Sequence, residues 1–193
     1  EADESNNVAR SGETCQVRPP GPPWSLREKW AWTTASVVST PAVGDLDGDG
    51  VADVAFVTPR GTSLTVDGQL RAVSGRGDRE LFALADRALD LNPSGSPALG
   101  DIDGDGRPEI VAVAEQGAQL LAFEADGTFK WRSPVLEAHV GAAAPFLADL
   151  DGDGRAEVLI GRQVLDGDGS LRWTGSGPRV GRSPVTGLHA VAA

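Results

Sequence analysis

At 193 residues and a net charge of −11, the chain is long enough to bury a sizeable core and too acidic for nucleic acid, whose affinity rests on Lys and Arg neutralising phosphates. No apolar run approaches the roughly 20 residues of a membrane-spanning helix, and no basic signal sequence is visible, which is compatible with one having been removed. The 25 Gly and 13 Pro cut the chain into many short elements, as in a β-rich domain, and a single cysteine, Cys15, excludes an internal disulfide.

Residues 1–18 are polar and aperiodic, and Pro19, Pro20, Gly21, Pro22 and Pro23 form an extended spacer, so residues 1–25 are predicted to be a disordered or linker segment. From residue 26 to 193 the pattern changes. Residues 26–32, with Trp30 and Trp32, read as the fourth strand of a preceding unit. A proline then stands four residues before each of three acidic loops, at Pro41, Pro97 and Pro145, inside a short apolar stretch. The loops begin at Asp45, Asp101 and Asp149. After each comes an apolar run rich in β-branched residues (54–57, 110–114 and 158–160), which predicts a second strand. A third strand follows at 70–73, 119–123 and 163–165. Turn signals near Gly75–Asp78, Asp126–Gly127 and Asp166–Gly169 then lead to a fourth strand at 80–82, 128–131 and 171–173. Residues 183–187 resemble 96–100 and would start a further unit, but Leu188, His189 and Ala190 follow, so no fourth acidic loop is expected.

The loops carry most of the functional information. Asp45, Asp47, Asp49 and Asp53 repeat as Asp101, Asp103, Asp105 and Glu109, and again as Asp149, Asp151, Asp153 and Glu157, at loop positions 1, 3, 5 and 9. Asp and Gly also populate ordinary turns. Four like charges in one short loop, however, store about 4 kcal/mol of repulsion in water at about 6 Å spacing, which is hard to tolerate three times in a domain of about 5 to 15 kcal/mol stability. Clustered hard oxygens suit Ca²⁺, which takes about six to eight in a flexible shell, better than Mg²⁺, which demands tight octahedral geometry. Three calcium sites are therefore expected, and the neutralisation of these twelve carboxylates accounts for much of the acidity. An EF-hand would need a bidentate Glu at position 12, where this chain has Phe56, Ala112 and Ile160. Position 2 is apolar in every loop (Leu46, Ile102, Leu150), which predicts a side chain turned into the core.

The first Asp residues are 56 and then 48 positions apart, close to the roughly 40 to 50 of one propeller blade. The fold expected is all-β: a partial β-propeller of about three four-stranded blades, the acidic loop joining the first strand to the second. With Trp131 and Trp173 on fourth strands, the Asp-x-Asp-x-Asp-Gly-x-x-Asp/Glu loop resembles the FG-GAP-like or VCBS repeat, in its bacterial form, since the Phe-Gly and Gly-Ala-Pro motifs are absent. The resemblance covers about residues 27–193. It implies side-chain ligands at positions 1, 3, 5 and 9 and a backbone carbonyl at position 7, from Val51, Arg107 and Arg155. Gly50, Gly106 and Gly154 would allow the bend around the ion, and Asp53 has a shorter reach than Glu109 or Glu157.

Three units fall short of the about 4 to 8 blades of a closed propeller, so further blades or a partner chain are expected at the open edges. The absence of methionine points to a processed product or fragment. Arg76-Gly77-Asp78 matches an adhesion tripeptide but lies where a turn needs Gly and Asp anyway. His139 and His189 are isolated and have no patterned nucleophile; the tryptophans suit blade packing better than a sugar platform. The function expected is a non-catalytic, calcium-binding scaffold of an extracellular or cell-surface protein, for adhesion or recognition of a protein or glycan. The alternatives are the propeller of a polysaccharide lyase and a carbohydrate-binding module.

Overall fold

The computed structural model describes residues 27–77, 79–137 and 140–175. The expectations for residues 1–25 with Cys15, for Asp78, for His139 and His189, and for a strand at 183–187 lie outside them. The chain divides into two units, Glu1–Trp30 and Ala31–Ala193. All the strands among the described residues lie in the second.

Among the described residues, twelve strands form three four-stranded antiparallel sheets, each in sequence order. The first contains β1 (Ala42–Gly44), β2 (Asp53–Pro59), β3 (Gly68–Val73) and β4 (Glu80–Ala83). The second contains β5 (Ala98–Gly100), β6 (Glu109–Val113), β7 (Leu120–Phe123) and β8 (Phe129–Arg132). The third contains β9 (Phe146–Ala148), β10 (Glu157–Ile160), β11 (Gln163–Leu165) and β12 (Leu171–Thr174). This is the all-β partial propeller expected from the sequence. A 3₁₀ turn, Arg87–Leu89, in the connector after β4 was not foreseen; Asp86 caps it by accepting the N–H of Ala88 at 2.9 Å.

Alternation along each strand divides its side chains between two neighbours. On β6, Ile110 and Ala112 join the core shared with the first sheet, with Ala55, Val57, Leu70 and Leu91. Val111 and Val113 join the core shared with the third, with Val158, Ile160 and Leu165. Sandwiched on both faces, β6 and β7 are buried throughout, while all four residues of β12 are exposed.

The same contacts recur where sheets meet. Leu46 is buried against the second sheet and Ile102 against the third. Gly127 lies against the Phe82 ring and Gly169 against the Trp131 ring, so close that a Cβ would stand 2.9 and 2.6 Å from ring carbons. The Trp131 indole Nε1–H donates to the Gly167 carbonyl at 2.8 Å.

Two expectations are corrected. Leu150 is not turned into a core: it is 50% exposed, as is Trp173 at 40%. Position 2 and the fourth-strand aromatic reach the following sheet, and among the described residues none follows the third. Residues 27–32 form no strand, and none of the three sheets includes them. Trp32 packs edge-on against Phe56, centroids 4.8 Å apart, with the Arg71 guanidinium 5.7 Å above its ring.

Candidate metal centres

Each acidic loop is closed at its base by the strand ladder. The last residue of the first strand pairs with the ninth loop residue: Gly44 with Asp53, Gly100 with Glu109, and Ala148 with Glu157. The chain must therefore reverse within the intervening residues, and it bends round its own first aspartate. Asp45 Oδ1 accepts the N–H of Gly48 at 2.8 Å and Asp45 Oδ2 that of Gly50 at 2.9 Å. Asp101 does the same for Gly104 and Gly106, and Asp149 for Gly152 and Gly154. Both glycines of every loop have φ between +76° and +88°. The need for Gly at the fourth position as well as the sixth was missed, although Gly48, Gly104 and Gly152 repeat as faithfully as the rest.

The remaining acids continue the pattern. The third-position aspartates accept the N–H of the fifth residue at 3.1–3.3 Å, and the fifth-position aspartates that of the seventh at 2.8–2.9 Å. The ninth-position carboxylate folds back under the loop to accept the N–H of Leu46, Ile102 or Leu150 at 2.8–2.9 Å. It is buried in all three: Asp53, Glu109 and Glu157 are 0%, 0% and 4% exposed.

These folds bring positions 1, 3 and 9 together. Asp45, Asp47 and Asp53, then Asp101, Asp103 and Glu109, then Asp149, Asp151 and Glu157 each present carboxylate oxygens within 4.8 Å of one another. Calcium–oxygen distances of about 2.3–2.6 Å place ligands across the ion at most about 5 Å apart, so each group has the span of a calcium shell. Asp49, Asp105 and Asp153 are not part of these groups; their carboxylates hold the N–H of Val51, Arg107 and Arg155.

The fit to a cation is tested most sharply by Glu109. Its Oε1 is buried and accepts no hydrogen bond among the described residues, while Oε2 takes the N–H of Ile102. Burial pushes its carboxyl up to about 7, against the pull of that hydrogen bond. A buried carboxylate oxygen with no donor is costly. Two further acids converge on it, and a divalent cation is what such a donor set accommodates.

The sequence reading overlooked the cations around the loops. Arg79 Nη2 lies 2.6 Å from Asp47 Oδ2, and Arg76 pairs with Asp49. Lys130 Nζ lies 2.7 Å from both Asp103 Oδ2 and Glu124 Oε1. Burial alone would lower its pKa, but these two carboxylates more than offset that and keep the ammonium charged. Arg172 contacts Asp151 Oδ2, Glu157 Oε1 at 2.7 Å and Asp166 Oδ1 at 3.4 Å. The hydrogen bonds from Arg76, Lys130 and Arg172 hold Asp49, Asp103 and Asp151 below the usual carboxylate range. A cleft of about 520 Å³ between the second and third loops is lined in part by Asp103, Lys130, Asp151, Glu157 and Arg172. Arg76 and Gly77 lie in the turn between β3 and β4, where Gly77 has φ +76° and donates to Ser74 O at 2.8 Å. The first two residues of the Arg-Gly-Asp sequence are thus part of a hairpin turn, with the arginine committed to a loop.

Among known families, the FG-GAP repeat matches residues 37–72 and the FG-GAP-like repeat residues 101–160. No curated protein matches the sequence. Among solved structures the chain is similar to the V. cholerae biofilm matrix protein Bap1, at 22% identity and TM-score 0.49, over 78% of this chain and 34% of that one. It is similar to the rhamnogalacturonan lyase YesW at 22% identity and TM-score 0.49, over 68% of this chain and 30% of that one. A Bacillus licheniformis rhamnogalacturonan lyase matches at 21% identity and TM-score 0.49, again over 68% of this chain and 30% of that one. The chain spans about a third of the length of each of these structures.

Proposed function

We propose, for a chain built of FG-GAP-family repeats, that its three acidic loops are structural calcium sites. In this reading the chain is a non-catalytic segment of a propeller that serves an extracellular or cell-surface protein as an adhesion or recognition scaffold. The observation that carries the metal assignment is the unpartnered, buried Glu109 Oε1 beside Asp101 and Asp103. Asp101, Asp103 and Glu109 would hold the ion in the second loop, Asp45, Asp47 and Asp53 in the first, and Asp149, Asp151 and Glu157 in the third. Position 5 carboxylates and the carbonyls of Val51, Arg107 and Arg155 complete the set that the family pattern implies. All are oxygens on glycine-bent loops, the donor type and pliancy that calcium prefers over magnesium. Bound calcium supplies charge neutralisation and a link between the first and second strands, and its binding free energy adds to that of folding.

The structural role is supported by where the buried acids lie. Asp53, Glu109 and Glu157 each close a loop, and Asp90 pairs with Arg60 at 3.1 Å in the connector region between the first two sheets. Calcium sites of extracellular modules work in the 10⁻⁴–10⁻³ M range, a concentration found outside cells, which favours that location for a fold relying on three of them. Among the described residues no helix is long and apolar enough to cross a membrane. The outward face of the third sheet, with Leu150 and Trp173, is read as the seat of a further blade of the same kind, in this protein or a partner chain.

Calorimetry of the chain with calcium and with EGTA tests the proposal. Three bound ions and a calcium-dependent rise of several degrees in Tm are expected; an unchanged melt would overturn the metal assignment.

A further inference from the structure

We infer that the three loops bind calcium unequally, and that one register position on the fourth strand of each sheet, filled by Leu81, Lys130 and Arg172, sets the difference. The inference rests on the calcium assignment above. Phe82, Trp131 and Trp173 pair with Ala72, Ala122 and Val164 at matching points of the three ladders. The residues just before them are therefore structural equivalents, and their chemistry differs.

What differs with them is the second oxygen of the buried ninth-position carboxylate. In the third loop Glu157 Oε1 is taken by Arg172 Nη1 at 2.7 Å, and the same guanidinium holds Asp151 Oδ2. One side chain thus occupies two of the three clustered acids, as an internal cation in the place calcium would take. In the second loop the equivalent Lys130 has a single nitrogen, which Asp103 and Glu124 share. Glu109 Oε1 is left with no donor. A planar guanidinium spans several carboxylates where an ammonium acts as a point charge, so the exchange of Lys for Arg is sufficient to change which acids are free. In the first loop Leu81 brings no charge. Arg76 and Arg79 approach from the turn with side chains 52% and 58% exposed, and Asp53 Oδ1 accepts the N–H of Gly75 at 3.0 Å.

The second loop is therefore the tightest site and the third the weakest. Calcium entering the third must displace a cation bound by charge-assisted hydrogen bonds, which corresponds to about tenfold or more in affinity. A residue remote in sequence would then tune the metal response of each blade separately.

The test is titration calorimetry of the calcium-stripped chain with CaCl₂, comparing wild type, Arg172→Lys and Lys130→Arg. Asp149→Asn and Asp101→Asn assign the weakest and tightest steps, each of which should lose its own. The expected result is a roughly tenfold tightening of the weakest step in R172K and a comparable weakening of the tightest in K130R, with metal-free Tm lowered in R172K, where the buried Glu157 Oε1 loses its donor, and not lowered in K130R. Three equivalent steps in wild type, or a weakest step that R172K leaves alone, would overturn the inference while the calcium assignment stands. No calcium-dependent heat in wild type would overturn both.

Discussion

Asp53 and Glu109 hold the same place in successive loops, yet their carboxylates are satisfied differently. Asp53 accepts three backbone N–H groups, from Leu46 at 2.9 Å, Gly75 at 3.0 Å and Asp47 at 3.3 Å. Removing it takes a buried acceptor away from three N–H groups at once, so Asp53→Ala should cost about 3 kcal/mol even without metal. Glu109 has one such bond and an uncompensated oxygen, so its charge is a burden until a cation arrives. Its carboxyl, raised from 4.5 to about 7, binds a proton more tightly in the folded chain than in the unfolded one. The contribution of Glu109 to metal-free stability should therefore be fully present below pH 4.5 and fall as pH rises towards 7, by on the order of 3 kcal/mol. Glu109→Gln should flatten that decline, be no less stable than wild type at pH 7 without calcium, and lose part of the calcium-induced gain. Urea denaturation of the stripped protein across pH measures all three; a Glu109→Gln protein weaker than wild type at pH 7 would count against an uncompensated charge.

At the scale of the strand and its turn, stability is concentrated where a fourth-strand aromatic meets the next sheet. Trp131 packs on Gly169 and donates to Gly167 O, so Trp131→Ala should cost about 3–5 kcal/mol. Trp173, its equivalent on the exposed β12, should cost about 1 kcal/mol or less in this chain. Gly169→Ala should also destabilise, because φ of +82° and a Cβ 2.6 Å from the indole add strain to overlap. Equal losses for the two tryptophans by thermal melting would contradict this account of the interfaces. The strands and loops themselves were legible because their signals are local: acids at fixed spacing, β-branched runs, and Asp-Gly turns. Lys130 and Arg172 were not, since on a strand they read as solvent-facing polar residues. Their partners lie 27 and 21 positions back, brought near only by the antiparallel ladder. The 3₁₀ turn at Arg87–Leu89 was hidden for a similar reason, as its connector is held by Leu91 pairing with Gly68 at 2.7 and 2.9 Å.

Among the described residues of the molecule, one interface is built twice and left half-made once. Leu46 and Ile102 are 2% and 1% exposed because a following sheet covers them, whereas Leu150 at the same loop position is 50% exposed. The repeating sequence could not reveal this, because three identical signals give three identical expectations and burial depends on what stands alongside. Phe146 and Trp173, which share a cross-strand row through Leu159 and Val164, are exposed, as is Leu150 on the loop, leaving a concentration of apolar side chains of the kind that marks a docking face. The consequence is a position-dependent response to one substitution. Ile102→Lys would bury a charge in the core between the second and third sheets and should prevent folding or cost more than about 4 kcal/mol. Leu150→Lys should leave the Tm of this chain within a degree or two and reduce native-state binding of an apolar dye such as ANS. Joined to a further blade of the same kind, however, Leu150→Lys should become as damaging as Ile102→Lys. A Leu150→Lys chain that melts far below wild type on its own would mean that this face is already covered.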